Sequence, residues 1–246
     1  MTGTLYIVST PIGNLEDISL RALNVLRGAD LIAAEDTRTT GNLLRHYDIR
    51  KPMVSYFSRN ETRRVPELLA KLEGGQSVAV VSDAGTPGIS DPATRLISAA
   101  IEQGVPVVAV PGPTAFLPAL IVSGLPIRSF VYEGFLPIKK GRSTMLADLA
   151  REERTIVLYE SPHRLLRTLA DLKAAFGDRQ ISVAREITKK FEEVVRGAIS
   201  EAIAHFTTHR VRGEFVIVIA GRASGSGRGR GRQPSRFDDT FQELEP

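Results

Sequence analysis

The stretch Val78-Ala79-Val80-Val81-Ser82-Asp83-Ala84-Gly85-Thr86-Pro87-Gly88-Ile89-Ser90-Asp91-Pro92 decides how the rest of the chain is read. It opens with an unbroken apolar run, the pattern of a strand covered on both faces rather than one. Gly85 and Gly88 then free the backbone, while Pro87 and Pro92 stiffen the path, so the loop allows close backbone approach to a ligand. Asp83 stands immediately past the strand. Working outward, the same pattern recurs. Apolar runs at 5–9, 31–34, 77–82 and 105–110 alternate with segments of helical periodicity at 18–26, 39–46, 65–72 and 92–103. That alternation predicts βαβ units and a mostly parallel sheet.

In open α/β sheets, ligands lie beyond the carboxyl ends of the strands. Here those ends carry Thr10-Pro11-Ile12-Gly13-Asn14, Glu35-Asp36-Thr37-Arg38, the 82–92 loop and Pro111-Gly112-Pro113-Thr114-Ala115. Such a rim of glycine, proline, hydroxyls and carboxylates is a pocket candidate. The 82–92 loop lacks the Gly-Lys-Ser/Thr of a P-loop and the Gly-x-Gly-x-x-Gly of a dinucleotide fold. Taken alone, it also reads as a well-made turn, with Ser90 or Asp91 capping the next helix. Glu35-Asp36 reads as an acid pair, a ribose clamp or a cation site, or else as an N-cap with Arg38 as local partner.

Thr114 is expected to cap a helix over 115–122, and Ser123-Gly124-Leu125-Pro126 breaks the chain again. We place a domain boundary there, giving domains 1–124 and 125–221. The second half predicts strands at 130–133, 155–159, 180–185, 193–197 and 214–220, with helices at 143–151, 162–176 and 200–206. Its later strands crowd together, so its sheet is expected to be mixed. Pro162 suits a first helical turn, making Ser161 the expected N-cap and His163 a first-turn residue. Arg185-Glu186-Ile187-Thr188-Lys189-Lys190 is a solvated charge run, or else a phosphate contact or base. Lys139-Lys140-Gly141-Arg142 and Arg59 with Arg63-Arg64 are basic clusters that are either solvated or touch phosphates. Residues 222–236 hold five arginines and no acid, so the 222–246 tail is expected to be disordered, either an RNA-contacting arm or a solubilising ornament.

The 246 residues include no cysteine, which excludes disulfides, cysteine-ligated zinc and a cysteine nucleophile, and fits a reducing compartment. Met1-Thr2-Gly3-Thr4 lacks the features of a signal peptide, and no apolar run approaches the ~20 residues of a membrane span. A cytoplasmic location is expected. His205 and His209 lack a third ligand and read as surface, so no metal is expected. The net charge of +4 is compatible with a polyanionic partner without demonstrating one.

Eight segments then occur in order: the 10–14 and 34–38 loops, the 82–92 loop, Pro111-Gly112-Pro113, Glu133-Gly134-Phe135-Leu136-Pro137, Tyr159-Glu160-Ser161-Pro162-His163-Arg164, Ala184-Arg185-Glu186-Ile187-Thr188-Lys189-Lys190 and Gly213-Glu214-Phe215. As a set, the chain resembles the ribosomal-RNA-methylating branch of the tetrapyrrole methylases. It lacks the Gly-x-Gly-x-Gly-Asp-Pro loop typical of members that methylate tetrapyrroles. The resemblance implies two α/β domains, a mostly parallel first sheet and a mixed second one, with S-adenosylmethionine bound in the cleft between them. It further implies 2′-O-methylation of a decoding-region cytidine of 16S ribosomal RNA, free RNA or small ribosomal subunit as substrate, and a homodimer. Two alternatives stay open: a precorrin-type methyltransferase, and a non-catalytic RNA-binding or ribosome-assembly factor.

On that reading Pro11, Ser82, Asp83, Ala84, Gly85, Ile89 and Ala115 contact the donor from the first domain, and Tyr159, Ser161, Ala184 and Phe215 from the second. A ribose hydroxyl is a very weak acid, so a base is needed, with Asp36, Glu160, Glu186 and Lys189 as candidates. Lys189 ranks first because neighbouring Arg185 and Lys190 are expected to lower its pKa. Arg38, Arg185, Lys139, Lys140, Arg142 and His163 are the expected RNA contacts.

Overall fold

The computed structural model describes residues 2–223, so the tail expected to be disordered lies, from 224 on, outside the described residues. Strands β1 (Leu5–Val8), β2 (Leu31–Ala34), β3 (Met53–Ser55), β4 (Val78–Val81) and β5 (Val107–Val110) form one sheet in the order β3-β2-β4-β1-β5. Every pairing in it is parallel. The apolar runs follow from what covers them. Ile32, Ala34, Ala79 and Val81 pack under α1 (Leu20–Gly28) and α2 (Thr37–His46), while Leu31, Ala33, Val78 and Val80 pack under α3 (Glu61–Glu73) and α4 (Thr94–Glu102). Ser19 caps α1 by accepting from the Ala22 N–H, and Asp36 caps α2 by accepting from the Arg38 N–H.

Strand β3 is absent from the sequence reading. It is three half-buried residues at the sheet edge, too short to show a pattern. Two expected caps fail. Helix α4 starts at Thr94 with no side-chain cap, so neither Ser90 nor Asp91 caps it. Helix α5 (Phe116–Ile121) begins after Ala115, with no side-chain cap from Thr114.

The second sheet runs β6-β7-β10-β8-β9, from β6 (Phe130–Phe135), β7 (Thr155–Glu160), β8 (Gln180–Arg185), β9 (Glu193–Ala198) and β10 (Phe215–Ile219). Only β6 and β7 run parallel, so the sheet is mixed. Helices α6 (Arg142–Leu149), α7 (Leu165–Phe176) and α8 (Ile199–Thr208) cover one face through Leu146, Leu169, Leu172 and Phe206. The opposite face receives α5: Ala119 and Leu120 pack on Val157, Ala184, Val216 and Val218, and Ile12 from the loop after β1 joins them. This apolar layer is where the two halves meet. Helix α7 starts later than expected, so His163 lies ahead of it and Ser161 does not cap it. Instead, the Ser161 N–H donates to the Glu160 carboxylate.

Candidate active site

The loops after β1, β4 and β5 are stitched into one platform. Thr10 and Gly85 exchange backbone hydrogen bonds of 2.8 and 3.0 Å. Gly85 achieves this at φ +89, a conformation that side chains resist. The Ser9 and Thr86 hydroxyls lie 2.8 Å apart, and Thr86 donates onward to the Pro113 carbonyl at 3.0 Å. Between the loops after β2 and β4 the bonding is reciprocal. The Asp83 N–H donates to Glu35 and the Asp36 N–H to Asp83, each at 3.1 Å.

Above this platform, where the halves meet, lies a cavity of about 320 Å³. Ala84, Gly85, Ile89 and Asp91 form one wall; Tyr159, Ser161, Ala184 and Phe215 form another. The Tyr159 hydroxyl accepts from the Phe116 N–H at 3.1 Å, fastening α5 to the second sheet, and the Ser90 and Tyr132 hydroxyls meet at 2.7 Å, fastening the 82–92 loop to it. A second cavity, of about 400 Å³, adjoins the first; Ile12, Ala84, Lys189 and Glu214 belong to the lining of both.

Carboxylates gather at this junction. Asp91 is pushed up to about 6 by burial, reinforced by Glu35, Asp83 and Glu214, against a hydrogen bond from Ser82. Burial also raises Glu35 and Asp83. The opposing cation is Lys189, whose ammonium donates to Glu186 at 2.8 Å and to Glu214 at 3.0 Å. A Cβ at Gly13 would run into the Lys189 stem, so the first half covers that side chain directly. Glu186 and Thr188, both non-glycine, sit at φ +50 and +68. Left-handed backbone at a β-branched residue is uncommon and costs of order 1–3 kcal/mol, and it concentrates at functional sites.

Of the residues expected at the donor, Ala84, Gly85, Ile89, Ala115, Tyr159, Ser161, Ala184 and Phe215 line the first cavity; Pro11, Ser82 and Asp83 line the second. The expected bases fare differently. Burial alone lowers the Lys189 pKa, but its hydrogen bonds to Glu186 and Glu214 prevail and raise it, the reverse of the expected depression. Glu186 is held low despite burial, chiefly by Lys189. Glu160 is 2% exposed; its carboxylate accepts from the Ser161 N–H and the Thr168 hydroxyl and pairs with Arg164, at the edge of the first cavity. Asp36 is held near 2 by hydrogen bonds from Arg38 and lies outside both linings.

Among the expected RNA contacts, Lys139, Lys140 and His163 are exposed, and the Arg38 side chain is 89% exposed beside Asp36. Arg142 is a correction: 7% exposed, it binds Asp171, Thr168 and the Pro137 carbonyl, and so braces α6 against α7. Arg185 is half-buried, bonded to the Arg212 carbonyl and Glu193. Sequence reasoning missed Asp91, taken for a helix cap, and Glu214, a lone acid at the mouth of an apolar run. Among the described residues no helix is long and apolar enough to cross a membrane.

The profile of the tetrapyrrole (corrin/porphyrin) methylases matches residues 4–203. Ribosomal RNA small subunit methyltransferase I of Synechocystis is 54% identical over 221 residues, covering 89% of this chain and 79% of that protein. Its namesake from Thermotoga maritima is 50% identical over 220 residues, covering 89% and 99%. Among solved structures, the methyltransferase CobJ superposes with a TM-score of 0.68 at 21% identity, covering 94% of this chain and 98% of that one. A uroporphyrin-III C-methyltransferase from Thermus thermophilus, complexed with S-adenosyl homocysteine, gives 0.63 at 21% identity, covering 88% and 97%. At those identities the structures speak for the fold alone.

Proposed function

This chain belongs to the tetrapyrrole (corrin/porphyrin) methylase family, alongside the ribosomal RNA small subunit methyltransferase I proteins, and from that premise we propose that it is a cytoplasmic S-adenosylmethionine-dependent enzyme methylating the ribose 2′-oxygen of a decoding-region cytidine in 16S ribosomal RNA. The observation that carries the reading is the first cavity. Its volume suits a ligand of the donor's class, its walls offer apolar surface from Ile12, Ile89 and Phe215, and its half-buried Asp91 carboxylate makes no ion pair among the described residues. A cationic donor relieves that burden. When bound, the donor supplies a methyl group on a positively charged sulfur. Gly85 and the 82–92 loop offer it backbone groups on a fixed platform, and Tyr159 and Phe215 close over it.

In-line transfer forms an oxygen–carbon bond as the sulfur–carbon bond breaks, and the hydroxyl proton has to leave. Lys189, held as an ammonium, serves as a charge rather than a base. It stabilises negative charge developing on the acceptor oxygen. Glu214, 3.0 Å from Lys189 Nζ and in the lining of both cavities, takes the proton. A tetrapyrrole acceptor carries several carboxylates of its own. The acidic junction of Glu35, Asp83, Asp91 and Glu214 repels those, which favours a neutral ribose. A homodimer fits the exposed apolar side chains of Leu117, Ile121, Ile127 and Phe130 around α5 and the free edge of β6, and sedimentation of the protein distinguishes one copy from two.

The test is incubation with labelled donor and unmodified small subunits, followed by mapping of the modified nucleotide. Label on a single ribose supports the reading. Label on a base, or none in the small-subunit RNA while the donor binds, defeats it.

A further inference from the structure

We propose that the second cavity receives one nucleoside of the acceptor strand, with its phosphates left outside, and that Asn42 reads the base. This rests on the RNA reading above and assigns the acceptor side of that site. The two cavities share Ile12, Ala84, Lys189 and Glu214, so a group filling one abuts a group filling the other at the residues that handle charge and proton. With the first cavity given to the donor, the reacting hydroxyl has to arrive from the second.

The lining then selects the chemistry. Asp83 and Glu214 bring negative charge, and Lys189, the cation in that lining, is already paired with two carboxylates. A phosphate meets net repulsion there; a neutral sugar and base do not. At about 400 Å³ the space accommodates a nucleoside. Leu15 and Leu43 provide apolar surface for the faces of a base. Helix α2 contributes the polar groups Thr39, Thr40 and Asn42. Asn42 Oδ1 accepts from Arg45 Nη1 at 2.9 Å, which leaves the amide N–H groups as what Asn42 has to offer. Two donors on one nitrogen suit the ring-edge acceptors of an unpaired base, the usual way a single-stranded nucleotide is read. One helical turn earlier, the Arg38 side chain is exposed at the cavity's outer side, where its guanidinium pairs with Asp36.

Two variants test this: Asn42→Leu, and Asn42→Asp, which keeps the size and the acceptor for Arg45 but cannot donate. Each is assayed for methyl transfer to unmodified small subunits and, by calorimetry, for affinity toward S-adenosylhomocysteine. The expected result is a fall in kcat/KM for the subunit of about tenfold or more in both, since a good amide–base contact is worth roughly 1–3 kcal/mol, with donor-product affinity within about twofold of the parent. Unchanged kcat/KM in Asn42→Asp overturns the assignment. A parallel loss of S-adenosylhomocysteine binding also overturns it, because the cavity then belongs to the donor. If the parent protein binds the donor yet methylates no small-subunit RNA, the RNA reading itself has failed, and this assignment falls with it.

Discussion

The 82–92 and 185–190 loops both wall the first cavity, and they are held by different physics. Past Asp83, whose carboxylate bonds tie it to the loop after β2, the first is stitched by neutral hydrogen bonds: the Thr10–Gly85 pair, the Ser9–Thr86 hydroxyls, and Thr86 to Pro113. The second is held by charge: Lys189 to Glu186 and Glu214, Arg185 to Glu193, and the Thr188 N–H to Glu192. Neutral bonds inside a stitched platform fix one geometry. Ion pairs at a half-exposed junction exchange partners readily, because exposed pairs are worth only about 0–1 kcal/mol. The contrast assigns the first loop to template and the second to chemistry.

The sharpest way to break that contrast is Gly85→Val. A β-branched residue at φ +89 cannot keep the Thr10 pairing without strain. We expect S-adenosylhomocysteine affinity to fall more than about a hundredfold and stability by roughly 1–3 kcal/mol; calorimetry and denaturant titration measure both. Parental affinity in this variant means the loop is not the template. Lys189→Met comes next. Loss of one donor that stabilises charge developing in the transition state typically costs on the order of 10²–10³ in kcat, so single-turnover transfer slows by that factor while donor-product affinity stays near that of the parent. If affinity drops equally, Lys189 is part of the donor seat and the two loops share one task.

Asp91→Asn has the smallest expected effect, and it depends on pH. The Asp91 pKa is raised from the ordinary 3.8 to about 6. Below about pH 5 the carboxyl is neutral, so variant and parent bind the donor alike. Above about pH 6 the parent carries the charge that attracts a cation, and the variant binds roughly tenfold more weakly, a loss of about one pKa unit's worth of interaction. Without donor, the sign reverses. Between about pH 4 and 6 the folded parent keeps a proton that its unfolded form has lost, so its stability declines as pH rises through that window. The uncharged amide of the variant brings no such decline, so thermal melts across pH show the variant gaining on the parent and staying ahead above pH 6. Parallel melting curves rule out a raised pKa at Asp91.

What was legible in the sequence was what depends on near neighbours. The apolar runs at β1, β2 and β4 announce strands because both faces are covered, and Asp36 as a cap needs only Arg38, two residues on. The charge-held loop was not legible. Lys189 has Arg185 and Lys190 beside it in sequence, suggesting a lowered pKa, yet its other partner is Glu214, 25 positions away. Arg142 misled in the same manner. Lys139-Lys140-Gly141-Arg142 looks like a surface cluster, and only the distant Thr168 and Asp171 reveal that its last member turns inward. Asp91 was hidden by a local explanation that sufficed, since an acid just before a helix reads as a cap until the cavity behind it is seen.

The apolar seam, with Ile12 seated among Ala184, Ile187 and Val216, bears on modularity. Two sheets of similar size invite the exchange of halves between relatives, as if donor binding were an interchangeable cassette. Ile12 and Gly13 belong to one half, while the side chains they cover belong to the other. A chimera that inherits each sheet from a different parent therefore inherits half a lock and half a key. It works only when the loop after β1 and its seat on β8 and β10 come from the same ancestor.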